Sequence, residues 1–146
     1  MLLLGVKNTA SQTLLANGIV NLGAVYRKYC KKNCGIGTFA FNGNSISLNR
    51  KGIYHLTLTA IVAGTVAGNV TLQLAENGVL VPGALATQTI TTANTELRTL
   101  TIDYYFLVDD TCILGNDTTL AKTITVVNTG VGSTISNIVV NVDKVL

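Results

Sequence analysis

The sequence predicts an all-β protein, an antiparallel two-sheet sandwich or jelly roll, and three observations carry that expectation. The first is strict period-two alternation over residues 52–62. Tyr54, Leu56, Leu58, Ala60 and Val62 point one way, and His55, Thr57 and Thr59 point the other. The second is punctuation by Gly and Asn roughly every ten residues, including Asn17-Gly18, Asn42-Gly43-Asn44, Asn77-Gly78 and Asn128-Thr129-Gly130. The third is composition. Apolar residues make up 48% of the 146 and charged residues 12%, there is no tryptophan, and Val, Ile, Leu and Ala are interleaved with many Thr and Asn, a strand-and-turn composition. The length suits one domain with a real core.

The elements follow in order. Residues 1–15 fall outside the alternation and read as an N-terminal arm or edge strand, ahead of a domain spanning 16–146. Strands are expected at 20–29, 38–41 and 45–48, with Ile46 and Leu48 inward, and then at 52–62. In 69–76, Val70, Leu72 and Leu74 share one face, and Asn77-Gly78 turns the chain tightly into a strand at 79–81. The lone proline, Pro82, is expected at a turn, where it costs no ladder hydrogen bond, and a further strand at 86–92. Residues 97–108 alternate again, with Leu100, Ile102, Tyr104, Phe106 and Val108 opposite Thr99, Thr101, Asp103 and Tyr105. A short piece at 111–114 and strands at 120–127 and 135–144 complete the chain, with Ile138, Val140 and Val142 opposing Asn137, Asn141 and Asp143 in the last.

Charge and chemistry are sparse. The net charge is +3, and the local excess is Arg27, Lys28, Lys31 and Lys32. Such a patch suits an acidic partner surface, and its two flanking tyrosines, Tyr26 and Tyr29, do not make a nucleic-acid site. No nucleic-acid partner is expected. Residues 1–7 are too short for a signal-peptide core, and no run is long enough to cross a membrane as a helix, so the expectation is cytosolic synthesis with no membrane partner. Cys30 and Cys34 lie four apart and Cys112 far away. Free thiols fit cytosolic synthesis, while a Cys30–Cys34 disulfide or a metal site shared between subunits stays open. Neither a cofactor nor a resident metal is expected.

The single histidine, His55, lies among threonines on the outward side of its strand and reads as a sheet-surface or subunit-contact residue. A catalytic triad would have to use it, and no nucleophile stands beside it in the pattern. Asp109, Asp110 and Asp117 lack the spacing of a calcium loop and read as turn residues. Tyr104 and Tyr105 are neighbours in a strand, so one faces the core and the other is exposed or at a contact. His55, Tyr104 and Tyr105 are the candidates for contact between subunits. Low charge with a surplus of aliphatic side chains points the same way, towards an oligomer.

The order of the pieces carries a resemblance. It lies in Asn42-Gly43-Asn44-Ser45-Ile46-Ser47-Leu48, in Gly52-Ile53-Tyr54, and in Ala67-Gly68-Asn69-Val70-Thr71-Leu72-Gln73-Leu74. The hairpin Glu76-Asn77-Gly78-Val79-Leu80-Val81-Pro82-Gly83-Ala84 and the closing Asn137-Ile138-Val139-Val140-Asn141-Val142 complete it. Over residues 8–146 the chain resembles small proteins encoded among phage and prophage structural genes of Gram-positive bacteria. More loosely it is similar to the TNF-like jelly rolls of complement globular heads and spore-surface glycoproteins, although it has no collagen-like Gly-x-y stalk. The resemblance implies a homotrimer with one sheet of each subunit around a three-fold axis. It further implies a virion decoration, head-fibre or tail-tip module. The expectation is a non-enzymatic protein that decorates the capsid, with the N-terminal arm and one trimer end on the major capsid protein and the basic cluster suited to an acidic capsid surface. The alternative is a module of a tail or head fibre that recognises host surface glycan.

Overall fold

The computed structural model describes residues 2–30, 37–109 and 121–146. The expected strand at 111–114 and residues Lys31, Lys32, Cys34, Asp110, Cys112 and Asp117 lie outside the described residues. Eleven strands are described: β1 (Leu2–Asn8), β2 (Gln12–Leu14), β3 (Ala24–Cys30), β4 (Phe39–Phe41), β5 (Ser45–Leu48), β6 (Gly52–Gly64), β7 (Gly68–Glu76), β8 (Val79–Ile90), β9 (Leu97–Val108), β10 (Lys122–Asn128) and β11 (Ser133–Lys144). All their pairings are antiparallel. One sheet runs β3-β1-β11-β6-β9, with β2 also paired to β11, and the other runs β4-β5-β10-β7-β8. Strands β8 and β9, the edges of the two sheets on one side, lie against each other. The chain is therefore a two-sheet jelly roll, as its alternation predicts.

The core is the space between the two inner faces. Leu56, Leu58, Ala60 and Val62 of β6, with Ile138, Val140 and Val142 of β11, meet Leu72 and Leu74 of β7, Ile46 and Leu48 of β5, and Ile124 and Val126 of β10; all are buried. Tyr54 enters this core edge-on against Phe39, with centroids 5.8 Å apart, and its hydroxyl donates to the Arg50 carbonyl at 2.6 Å. Burial with a satisfied polar tip is the arrangement a buried tyrosine requires. Burial pushes the Tyr54 hydroxyl above the ordinary tyrosine value, against the opposing effects of that hydrogen bond and the Arg50 charge.

Three expectations are corrected. Within residues 1–15, the stretch 2–8 is an interior strand: β1 is hydrogen-bonded on both sides, to β11 and β3, and buries Leu4 and Val6, while β2 pairs with β11 alone. Residues 20–29 are not one strand. Gly23 takes φ 79°, and a Cβ there would lie 2.1 Å from the Lys7 carbonyl oxygen, so the chain turns at Gly23. Before it, Val20 and Leu22 are anchored on the second sheet's side, with Val20 N–H donating to Val126 O at 2.8 Å and Leu22 N–H to Gly43 O at 2.7 Å. After it, β3 joins the first sheet.

The strands expected at 79–81 and 86–92 are one strand, β8, which ends at Ile90 and has a bulge opposite Gln73 and Ala75. Pro82 and Gly83 (φ 83°) sit in that bulge rather than at a turn, which an edge strand tolerates because the missing N–H removes no ladder bond. The Asn77-Gly78 turn is as expected. Asn77 has φ 51° and Gly78 φ 82°, the paired positive values of a tight hairpin.

Candidate functional site

The two outer faces of the sandwich differ. On the β7–β10 side, short polar side chains satisfy one another across strands: Thr71 with Thr87 at 2.9 Å, Thr89 to Asn69 at 2.9 Å, and Ser47 with Thr123 at 3.4 Å. Such a ladder suits contact with water, although Leu85, opposite Gln73 in register, is exposed beside it. The outer face of the six-stranded sheet instead mixes exposed large side chains, Tyr105 and Leu107 on β9 and Tyr26 and Tyr29 on β3, with half-buried Leu3, Ile53, Ile61 and Val139.

Register places this face in rows. Arg27 pairs with Gly5, Gly5 with Asn141, Asn141 with Thr57 and Thr57 with Asp103, so one row crosses from β3 to β9. The next row is Tyr29, Leu3, Asp143, His55 and Tyr105. Alternation sets which residues face out, and pairing decides which of them meet.

His55 is the centre of one cluster. Its Nε2 lies 2.6 Å from Asp103 Oδ1 and its Nδ1 3.5 Å from Asp143 Oδ1. A carboxylate only accepts, so Nε2 donates in the shorter contact. Tyr105 stacks on the imidazole with centroids 4.5 Å apart and 18° between planes. Both ring nitrogens face carboxylates, so neither is turned to a nucleophile. Among the described residues no group of three His, Cys, Asp or Glu is placed to hold a metal ion.

A second cluster lies on β3 and β1. Tyr26 donates its hydroxyl to Asn141 Oδ1 at 2.6 Å, and its ring lies over Gly5. A Cβ on Gly5 would come within 2.8 Å of both that ring and Asn141 Oδ1, so the missing side chain makes room for the tyrosine. Lys7 Nζ and Arg27 Cζ flank the ring at 5.3 and 6.0 Å from its centroid, within or at the limit of cation–π attraction.

The sequence candidates are distributed as follows. His55 and Tyr105 lie together on the outer face. Tyr104 lies on the inner side of β9, half-buried, edge-on to Phe106 at 4.9 Å and packed against the core. Arg27 and Lys28 are both exposed on edge strand β3, and the rest of the cluster, Lys31 and Lys32, lies outside the described residues. Lys28 pairs with buried Leu4 and Arg27 with Gly5, so strand alternation sends them to opposite sides of the sheet edge. Sequence reading missed the bond between Tyr26 and Asn141 and the two aspartates around His55. Alternation had already put Asp103, Asn141 and Asp143 on the outward sides of their strands; the register between strands was the missing information.

No helix among the described residues is long and apolar enough to cross a membrane. No family model matches the chain, and no curated protein matches it in sequence. Among solved structures it is similar to the globular domain of a zebrafish complement 1qA protein, with a TM-score of 0.65 at 9% identity over 100% of this chain and 98% of that one. It is also similar to PRD1 vertex protein P5, with a TM-score of 0.56 at 17% identity over 99% and 97% of the two chains. Murine APRIL matches with a TM-score of 0.56 at 8% identity over 94% and 97%. At these identities the likeness concerns the fold: the chain is an all-β jelly roll of the TNF and complement 1q type.

Proposed function

We propose that the protein is a non-enzymatic structural component of a phage particle, a homotrimer that decorates the capsid by binding the major capsid protein. The observation that carries this reading is the unpartnered outer face of the six-stranded sheet. It exposes Tyr105 and Leu107 beside half-buried Ile53, Ile61 and Val139, with Tyr26 and Tyr29 at its β3 edge, while the opposite outer face carries cross-strand Thr and Asn pairs around a single exposed leucine, Leu85. Large aromatic and aliphatic side chains gathered on one face suit burial against sister subunits. The fold likeness to a phage vertex protein supports a place on a particle. The clamping of His55 between Asp103 and Asp143 supports a non-enzymatic role, because a catalytic base needs one ring nitrogen free for the reacting group.

The mode of attachment differs from a flexible arm. Strand β1 is built into the sheet, so docking on the capsid falls to loops at one end of the sandwich, and many equal copies on a shell add their affinities. Light scattering on the purified protein is expected to give three times the chain mass, and incubation with undecorated capsids is expected to end with the protein bound at fixed stoichiometry. A monomer at high concentration overturns the trimer. Labelled protein that stains host cells and ignores capsids overturns decoration in favour of host-glycan recognition.

A further inference from the structure

The outer face of the six-stranded sheet carries opposite charges at its two edges. One row runs Arg27, Gly5, Asn141, Thr57, Asp103, with the cation at the β3 edge and the anion at the β9 edge. Four strand spacings separate them, about 19 Å at the usual interstrand distance. Both ends are held in place. Tyr26 lies between Lys7 and Arg27, itself fixed by its bond to Asn141, and Asp103 is held by His55 and keeps its side chain 62% exposed. The middle of the row is small and uncharged.

From this the geometry points to a head-to-tail contact between copies of this chain, in which the Lys7–Tyr26–Arg27 flank of one subunit docks on the Asp103 flank of the next. Each subunit then gives one flank and receives the other, and the repeat closes into a ring when the rotation allows. The two flanks complement each other in charge, and each repels its own kind, so the pairing selects the order of flanks and disfavours β3 edge against β3 edge. Tyr26 adds an aromatic body with little conformational freedom left to lose. The inference rests on the self-association reading above and adds to it which edges meet.

Charge reversal tests it. Arg27→Asp and Asp103→Arg are made singly and together, and mass is followed by light scattering against dilution, with circular dichroism confirming the β fold. Each single change is expected to weaken assembly by about tenfold or more, and the double change to restore it to within a few-fold of the parent. Raising the salt concentration is expected to shift the parent towards smaller species. Lys7→Glu and Arg27→Asp leave the His55 cluster untouched, so they keep the test usable if Asp103→Arg does not fold. An assembled parent whose single variants assemble equally well overturns the head-to-tail contact and leaves self-association standing. Single variants that dissociate without rescue in the double also overturn it. A parent that is a monomer throughout sinks the self-association reading itself.

Discussion

Two glycines show how the same substitution has different consequences at different places. At Gly5 the obstacles to a Cβ are the Tyr26 ring and the Asn141 amide, both movable side chains. At Gly23 the obstacle is the Lys7 carbonyl at 2.1 Å, and φ is 79°. Gly5→Ala is expected to cost about 1 kcal/mol and to displace Tyr26 from Asn141, whereas Gly23→Ala should cost about 3 kcal/mol, since backbone cannot step aside. Thermal melts separate the two, and equal shifts in Tm would refute the distinction. Glu96 provides a pH probe. Its carboxylate accepts from Thr91 N at 2.7 Å, Thr92 N at 2.9 Å and Thr91 Oγ1 at 3.0 Å, and pairs with Arg98. The backbone donors of Thr92 and Thr91 hold it below the ordinary glutamate value; desolvation opposes them, and the Thr91 hydroxyl and the Arg98 charge add smaller downward effects. A lowered folded value means that the stabilisation is complete above the unfolded value, about 4.3, and fades as pH falls through the lower folded one. Glu96→Gln is therefore expected to flatten the acid side of the Tm profile and leave its slope near neutral pH unchanged.

At the scale of elements, β1 decides more than its lack of alternation suggests. Leu2-Leu3-Leu4-Gly5-Val6 reads as a short apolar run, and the alternating signal is broken because Gly5 holds no side chain on the outer face. Pairing makes it an interior strand. Deleting residues 2–8 removes Leu4 and Val6 from the core, each worth about 1.5–3 kcal/mol, and leaves β3 without the strand it pairs with. Against a typical total stability of about 5–15 kcal/mol, the truncated chain is expected to lose its cooperative melting transition. A normal melt would restore the arm. By contrast β5, β7 and β9 were legible almost to the residue. Their buried apolar positions recur at period two, Ile46 and Leu48, Val70, Leu72 and Leu74, and Leu100, Ile102, Phe106 and Val108, and Gly43, Gly68 and Asn77-Gly78 take positive φ beside β5 and β7. The gap expected between 81 and 86 failed for a local reason: Pro82 and Gly83 signal a turn in sequence, but on an edge strand a bulge accepts them without ending the ladder.

At the scale of the molecule, the outer face of the six-stranded sheet is the one proposed above for contact between copies. Thr57 sits in the middle of that face, between Asn141 and Asp103 in register, and its side chain points away from the core. Thr57→Arg is expected to leave the β fold and Tm within about 0.5 kcal/mol of the parent, as surface changes usually do, while reducing the species in solution to a monomer. Unchanged mass would place the contact on some other surface. The same variant is expected to bind capsids weakly, since a single copy loses the gain from simultaneous attachment.

Periodicity in the sequence by itself determined that the chain is all-β, which side of β6, β9 and β11 faces the core, and that His55 and Tyr105 point outwards, because side-chain direction along a strand depends only on position parity. Tertiary structure decided that His55 lies between Asp103 and Asp143, that Tyr26 rests on Gly5, and that Arg27 and Asp103 end one row. Those meetings depend on strand order and register, which are set by pairing between strands distant in the chain, and no local pattern encodes a neighbour 48 positions away, as for His55 and Asp103, or 115 away, as for Tyr26 and Asn141.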